Sequence, residues 1–212
     1  MSRGARSNSP AEADVSDRLF PDDVLFSQRL LSCCHLYGGQ LNGQWDSTTD
    51  AADKAFHSKC DQIASTDGSF DPRSEANIRT LITDVQALAR KSLSLIRASG
   101  LDARIISGTR TYAQQTVLYR QGRFGNPGPI VTNAKAGQSW HNFGRAWDIG
   151  IFRAGKYLTD GPEYGEAATK GKIGGVEWGG DWITFKDKPH YQVIGEFGSL
   201  DAVRNYFERG GR

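Results

Sequence analysis

The stretch from Asp71-Pro72 to Gly100 constrains the fold more than any other segment of the chain. Apolar residues fall at Ile78, Leu81, Ile82, Val85, Leu88, Ala89, Leu93 and Ile96. That three-and-four spacing puts them on one face of an α-helix. Asp71 is suited to cap the helix start, Pro72 to occupy its first position and Gly100 to end it. A long helix with one apolar stripe is stable only when other elements cover the stripe. The rest of the chain must therefore supply a second layer.

At 212 residues, the chain has room for one domain, or one with a small appendage, at roughly 100–200 residues per domain. Hydrophobic residues at 38% and aromatic residues at 10% supply a packed core and exclude a wholly disordered chain. The 25 glycines against 7 prolines show no triplet period, which excludes collagen and points to a loop-rich globular fold.

Around the long helix, residues 22–36 read as a helix closed by Gly38-Gly39. Residues 48–60 read as another, capped by Ser47 or Thr48. Residues 103–107 read as a strand. Thr111-Tyr-Ala-Gln114 is a capping-box pattern opening a helix to Gly122. Residues 123–139 form a long Gly/Asn/Pro loop, of a length usually reserved for function or motion. Residues 146–152 and 190–194 read as strands, and 162–170 and 199–209 as helices. The expected organisation is a flexible leader over 1–20, a helical N-terminal region over 21–71 and a main domain over 72–212. The fold class is α+β.

No apolar run approaches the roughly 18 residues of a membrane span. The polar start, Met1 to Arg18, contains no apolar core of a secretory signal. The expectation is synthesis in the cytoplasm without a signal peptide and without membrane insertion. Cys33, Cys34 and Cys60 form no C-x-x-C pair, so they read as small buried hydrophobes, with a disulfide to Cys60 open in an oxidising compartment. Residues 1–71 carry 6 basic and 11 acidic residues, and residues 72–212 carry 20 and 13. A basic C-terminal part suits an anionic polymer. Its basic residues are dispersed, which argues against nucleic acid.

The chain has four histidines: His35, His57, His141 and His190. The first two fall in predicted helices and read as structural or exposed. A catalytic zinc takes three protein ligands from histidine and carboxylate and keeps one position open. His141, Asp148 and His190 offer such a set. On a strand, Trp147, Ile149 and Ile151 would share one face and Asp148 and Gly150 the other. Asp187, three residues before His190, is placed to act as general base. Spacing alone leaves open that both histidines are ordinary and that Asp148 is a turn residue. Glu177 and Asp181 compete for the base role. Trp140 and Trp182 read as groove-lining or as core.

Taken together, Ser107-Gly-Thr-Arg110, Ser139-x-His141-x-x-Gly144-x-Ala146-x-Asp148 and Asp187-x-Pro-His190 resemble the peptidoglycan metallopeptidases. That family includes D-alanyl-D-alanine carboxypeptidases and phage-type L-alanyl-D-glutamate endopeptidases. The resemblance covers about residues 72–212. It implies a compact α+β domain with helices on a small, mostly antiparallel sheet. It implies zinc on His141, Asp148 and His190, Asp187 as acid/base and Arg110 as the group that stabilises the oxyanion. Ser139 matches a serine on the substrate side of the first ligand, and Trp140, Trp182 and Tyr191 join it as candidate substrate contacts. Gly137 to Gly144, Trp178-Gly-Gly-Asp-Trp182 and Pro189-His-Tyr-Gln192 are closest to the endopeptidase branch.

The expected function is therefore zinc-dependent hydrolysis of the peptidoglycan stem peptide, at the L-alanyl-D-glutamate bond. A D,D-carboxypeptidase and an inactive zinc-containing wall-binding module are the alternatives. An endolysin released through holin pores and an antibacterial effector carried by a secretion machine, with an immunity protein as partner, both fit the missing signal. Gly39 to Phe56 faintly resembles a peptidoglycan-binding helical module, with His57 where such modules carry Gln. A helical cap packed on the peptidase is the competing reading.

Overall fold

The computed structural model describes residues 20–212; the expected leader, apart from Phe20, lies outside the described residues. The elements run α1 (Pro21–Cys33), α2 (Ser47–Asp67), α3 (Pro72–Ile78), α4 (Thr83–Ala98), β1 (Asp102–Ser107), α5 (Tyr112–Arg120) and a 3₁₀ turn (Trp140–Phe143). They continue with β2 (Ala146–Arg153), β3 (Lys156–Leu158), α6 (Glu163–Gly171), β4 (Val176–Trp178), β5 (His190–Val193) and α7 (Leu200–Glu208). The class is α+β. The sheet is antiparallel in order β1-β2-β5-β4, with β3 paired to β2.

The expected single helix after Asp71 is two. Asp71 caps α3 through the Ser74 amide, and Pro72 opens it. The chain breaks at 79–82 and resumes as α4. The cause lies far away in sequence. Ile82 N–H donates to the Gly144 carbonyl, 3.2 Å away. The Thr80 hydroxyl accepts from Thr109 N–H at 2.8 Å, and the Thr109 hydroxyl donates to the Thr80 carbonyl. These partners take backbone groups that a continuous helix would bond internally. Periodicity misses the break because Ile78, Leu81, Ile82 and Val85 are all buried on both sides of it.

Other boundaries differ from expectation as well, and α2 runs on to Asp67, past the expected end at residue 60. Asp46, not Ser47 or Thr48, caps α2, accepting from Thr49 N–H at 2.7 Å. α1 ends before Gly38-Gly39, because His35 takes the left-handed conformation (φ 59°) and Leu36 N–H closes onto the Leu31 carbonyl. β3 and β4 are three residues each, too short for alternation to reveal them. The loop over 123–139 contains no regular element, as expected.

One core joins the N-terminal helices to the main domain. Leu31, Cys34, Phe56 and Cys60 pack in the same cluster as Val85, Leu93, Ile105, Trp147 and Ile149. A second cluster places Phe26 of α1 against Phe143, Val203 and Phe207. All three cysteines are free thiols; Cys34 and Cys60 are buried and Cys33 half-buried.

Candidate metal site and cleft

β2 carries the alternation read from sequence. Trp147, Ile149 and Ile151 are buried in the core, and Asp148 faces a cleft of about 480 Å³. Antiparallel pairing sets His190 of β5 directly across from Asp148. His141 enters from the 3₁₀ turn, which Gly144 ends in the left-handed conformation (φ 68°). A Cβ at Gly144 would meet Ile82 N and Cγ2 at 2.9 Å, so glycine is required both by conformation and by the close approach of the α3–α4 break.

His141, Asp148 and His190 each aim one donor atom at a common point, with all three atoms within 4.8 Å of one another. Asp148 Oδ1 lies 3.1 Å from His141 Nε2 and 3.2 Å from His190 Nδ1. The outward nitrogens are anchored. His141 Nδ1–H donates to the Gly108 carbonyl at 2.7 Å, and His190 Nε2 lies 2.9 Å from Gln192 Oε1. Burial keeps His141 below its ordinary pKa, so its Nε2 lone pair is available. Burial would likewise lower His190, but the Asp148 carboxylate beside it outweighs burial and raises it. Burial would raise Asp148, yet the two imidazoles and Arg110 hold it well below the carboxylate range. Two histidines and one carboxylate, converging at the bottom of an open cleft and held from behind, form a donor set suited to a catalytic metal such as zinc.

Asp187 and Arg110 both line the same cleft. Burial, reinforced by the negative charge of Asp148, pushes Asp187 above the ordinary carboxylate value. Its turn is clamped by Asp187 N–H to the Gly179 carbonyl at 3.0 Å and by the Trp178 indole N–H to the Lys188 carbonyl at 2.6 Å. Arg110 uses Nε and Nη2 on Ser107 Oγ, and Nη2 also pairs with Asp148 Oδ2. Its own backbone is fixed, N–H to the His141 carbonyl and C=O to the Asn142 amide.

The other candidates divide. Ser139, Trp140 and Trp182 line the cleft, and the Trp182 ring lies 5.1 Å from that of His190. Trp140 also packs with Phe143 and Phe207, so groove and core both hold for it. Tyr191 does not reach the cleft. It alternates to the opposite face of β5 from His190, is fully buried, and stacks on Trp147 with centroids 5.9 Å apart. Of the competing carboxylates, Asp181 pairs with Lys172 and Glu177 accepts from the Gln192 amide; neither lines the cleft. His57 pairs with Asp53 on the surface of α2. Sequence reasoning missed Gln192, whose i+2 spacing from His190 on a strand is the signal that would have found it.

The fold and cleft define a hydrolase of the metallopeptidase class. Residues 132–193 match the family described as D-alanyl-D-alanine carboxypeptidase. Over 126 residues the chain is 34% identical to the peptidoglycan L-alanyl-D-glutamate endopeptidase CwlK of Bacillus subtilis, covering 53% of this chain and 75% of that one. It is 32% identical over 126 residues to the L-alanyl-D-glutamate peptidase of Listeria phage A118, covering 57% of this chain and 40% of the phage protein. Among solved structures it is similar to the Serratia marcescens L-Ala D-Glu endopeptidase ChiX, with TM-score 0.43 and 30% identity over 58% of this chain and 88% of that one. The chain belongs to the peptidoglycan metallopeptidase family.

Proposed function

We propose that this protein is a zinc peptidase that hydrolyses the L-alanyl-D-glutamate bond of the peptidoglycan stem peptide. The observation that carries the reading is the convergence of His141, Asp148 and His190 in a cleft walled by Asp187 and Arg110. It occurs in a chain of which 53% is similar to three quarters of a peptidase named for that bond.

In this reading His141 Nε2, Asp148 and His190 Nδ1 hold the ion. When bound, zinc supplies a Lewis acid that activates water and polarises the scissile carbonyl. Asp187 takes a proton from the attacking water and returns it to the leaving nitrogen. Burial, which pushes its carboxyl up, favours the proton-carrying form it passes through between the two steps. Arg110 donates to the oxygen on which charge develops; Nη1 is left uncommitted among the described residues. Water adds across the amide, the C–N bond breaks, and the products are an L-alanyl carboxylate and a D-glutamyl amine. Ser139, Trp140 and Trp182 contact the peptide along the cleft.

Residues 21–71 act as a helical cap on the peptidase. Several of the residues that resemble a wall-binding module, among them Thr49, Ala52 and Phe56, are used in internal packing. Gln28 bonds Asn42, Gly43, Gln44 and Thr49, and Phe56 lies in the core. Release or delivery to the wall is taken to follow an endolysin route, supported by the phage relative.

Digestion of purified wall, with and without a chelator, followed by mass spectrometry of the muropeptides, tests the reading. New alanyl carboxyl and glutamyl amino termini that disappear with the chelator are expected. Release of free D-alanine would mean a carboxypeptidase. Wall binding without any new terminus would mean an inactive module.

A further inference from the structure

Glu177 and Gln192 form a hydrogen-bonded line behind the second histidine, and of the two only Gln192 also lines the cleft. β4 and β5 pair so that Glu177 stands opposite Gln192, and Gln192 follows His190 on the same face of β5. Glu177 Oε2 lies 3.1 Å from Gln192 Nε2, and Gln192 Oε1 lies 2.9 Å from His190 Nε2. Gln192 and His190 are both buried, so neither can exchange these partners freely for water.

The chemistry of each group dictates the next. An ionised carboxylate only accepts hydrogen bonds, so the Gln192 amide must turn its NH2 toward Glu177. Its carbonyl oxygen then faces His190. A carbonyl oxygen also only accepts, so His190 must carry its proton on Nε2. That leaves the Nδ1 lone pair pointing at Asp148 and His141. Without Glu177, a flipped amide would present NH2 to Nε2 and favour the opposite tautomer, with Nδ1–H pointing into the donor cluster.

We infer that Gln192 and Glu177 are positioning residues that lock the His190 tautomer and thereby set the metal affinity of the cluster. The inference rests on the proposed metal site. Outer partners of ligating histidines typically contribute about 10–100-fold in metal affinity. Gln192→Leu, which keeps bulk and removes the acceptor, is expected to weaken zinc binding by about that factor. Gln192→Glu combined with Glu177→Gln, which restores an acceptor to His190 without facing two carboxylates against each other, is expected to recover most of it. Glu177→Leu should weaken binding by a smaller factor, since the amide can still populate the correct orientation.

Zinc affinity is read by competition with a chromophoric chelator, without any activity assay, and folding by circular dichroism on the same samples. Unchanged zinc affinity in a folded Gln192→Leu protein would overturn the inference. A wild-type protein that binds no zinc would instead refute the metal site itself.

Discussion

Arg110 Nη2 pairs with Oδ2 of Asp148, the carboxylate oxygen opposite the one facing the two histidines. One aspartate thus joins the donor cluster to the cation of the cleft wall. Ser107 Oγ holds the same guanidinium from the other side. The arrangement aims a fixed positive charge beside the proposed reacting carbonyl.

Loss of that charge is expected in turnover more than in binding. Arg110→Ala should lower kcat about 10²–10³-fold, the range for removal of an oxyanion donor. Arg110→Lys should remain well below wild type, because a compact ammonium lacks the planar fork that spans Ser107, Asp148 and substrate. Steady-state kinetics on a soluble stem-peptide fragment decide; a wild-type kcat in Arg110→Ala excludes the role.

Asp187→Ala should retain its metal and lose turnover about 10²–10⁴-fold, the contribution of a positioned general base. Asp187 lies on the cleft wall and outside the converging donor set. Elemental analysis beside muropeptide release separates the two effects, and near-normal release would remove Asp187 from the mechanism.

His190→Ala should abolish metal binding and hydrolysis together, since it removes one of three donors. The fold should survive, because β5 keeps Tyr191 and Val193 in the core. Stoichiometric zinc in the purified variant would exclude His190 as a ligand.

Acid stability should depend on a pair far from the cleft. Arg90 is fully buried and bonds Glu75 through both Nη atoms, at 2.7 and 2.8 Å. Burial would raise the Glu75 carboxyl, but Arg90 and the Phe70 amide outweigh it and hold it below its ordinary value of 4.5. A carboxylate held low in the folded state stabilises the fold above its unfolded pKa. That contribution fades as pH falls from about 4.5 through the lower folded value. Glu75→Gln should cost about 3 kcal/mol at pH 7, at the lower end for an orphaned buried charge. It should also flatten the acid limb. Urea denaturation at pH 7, 5 and 3 tests both; equal losses at all three pH values would exclude the linkage.

Gly144→Ala should destabilise the fold and weaken metal binding at once. A left-handed φ costs a non-glycine residue roughly 1–3 kcal/mol. The added Cβ would also press on Ile82 at 2.9 Å, displacing the turn that carries His141. Thermal denaturation and zinc competition on the same sample measure the two consequences.

The sequence alone determined the features that repeat locally. The Asp71 and Thr111 caps were legible because a cap and its amide partner lie three residues apart. Trp147, Ile149 and Ile151 were legible as a buried face because strand geometry repeats every two residues. The ordered motifs around His141, Asp148 and His190 marked the donor set in advance. Tertiary structure decided what depends on partners distant along the chain. The Gly144 carbonyl and the Thr109 hydroxyl break the long helix by drawing off the backbone groups of Ile82 and Thr80, and no local pattern carries that information. Tyr191 went to the core by that same two-residue alternation, once His190 faces the cleft. Glu177 stands behind Gln192 because sheet pairing, not sequence proximity, assigns each residue its neighbour across the ladder. Asp148 meets His190 across 42 positions of chain because the β2–β5 register, fixed by the apolar face on the other side of the sheet, leaves the two side chains facing one cleft.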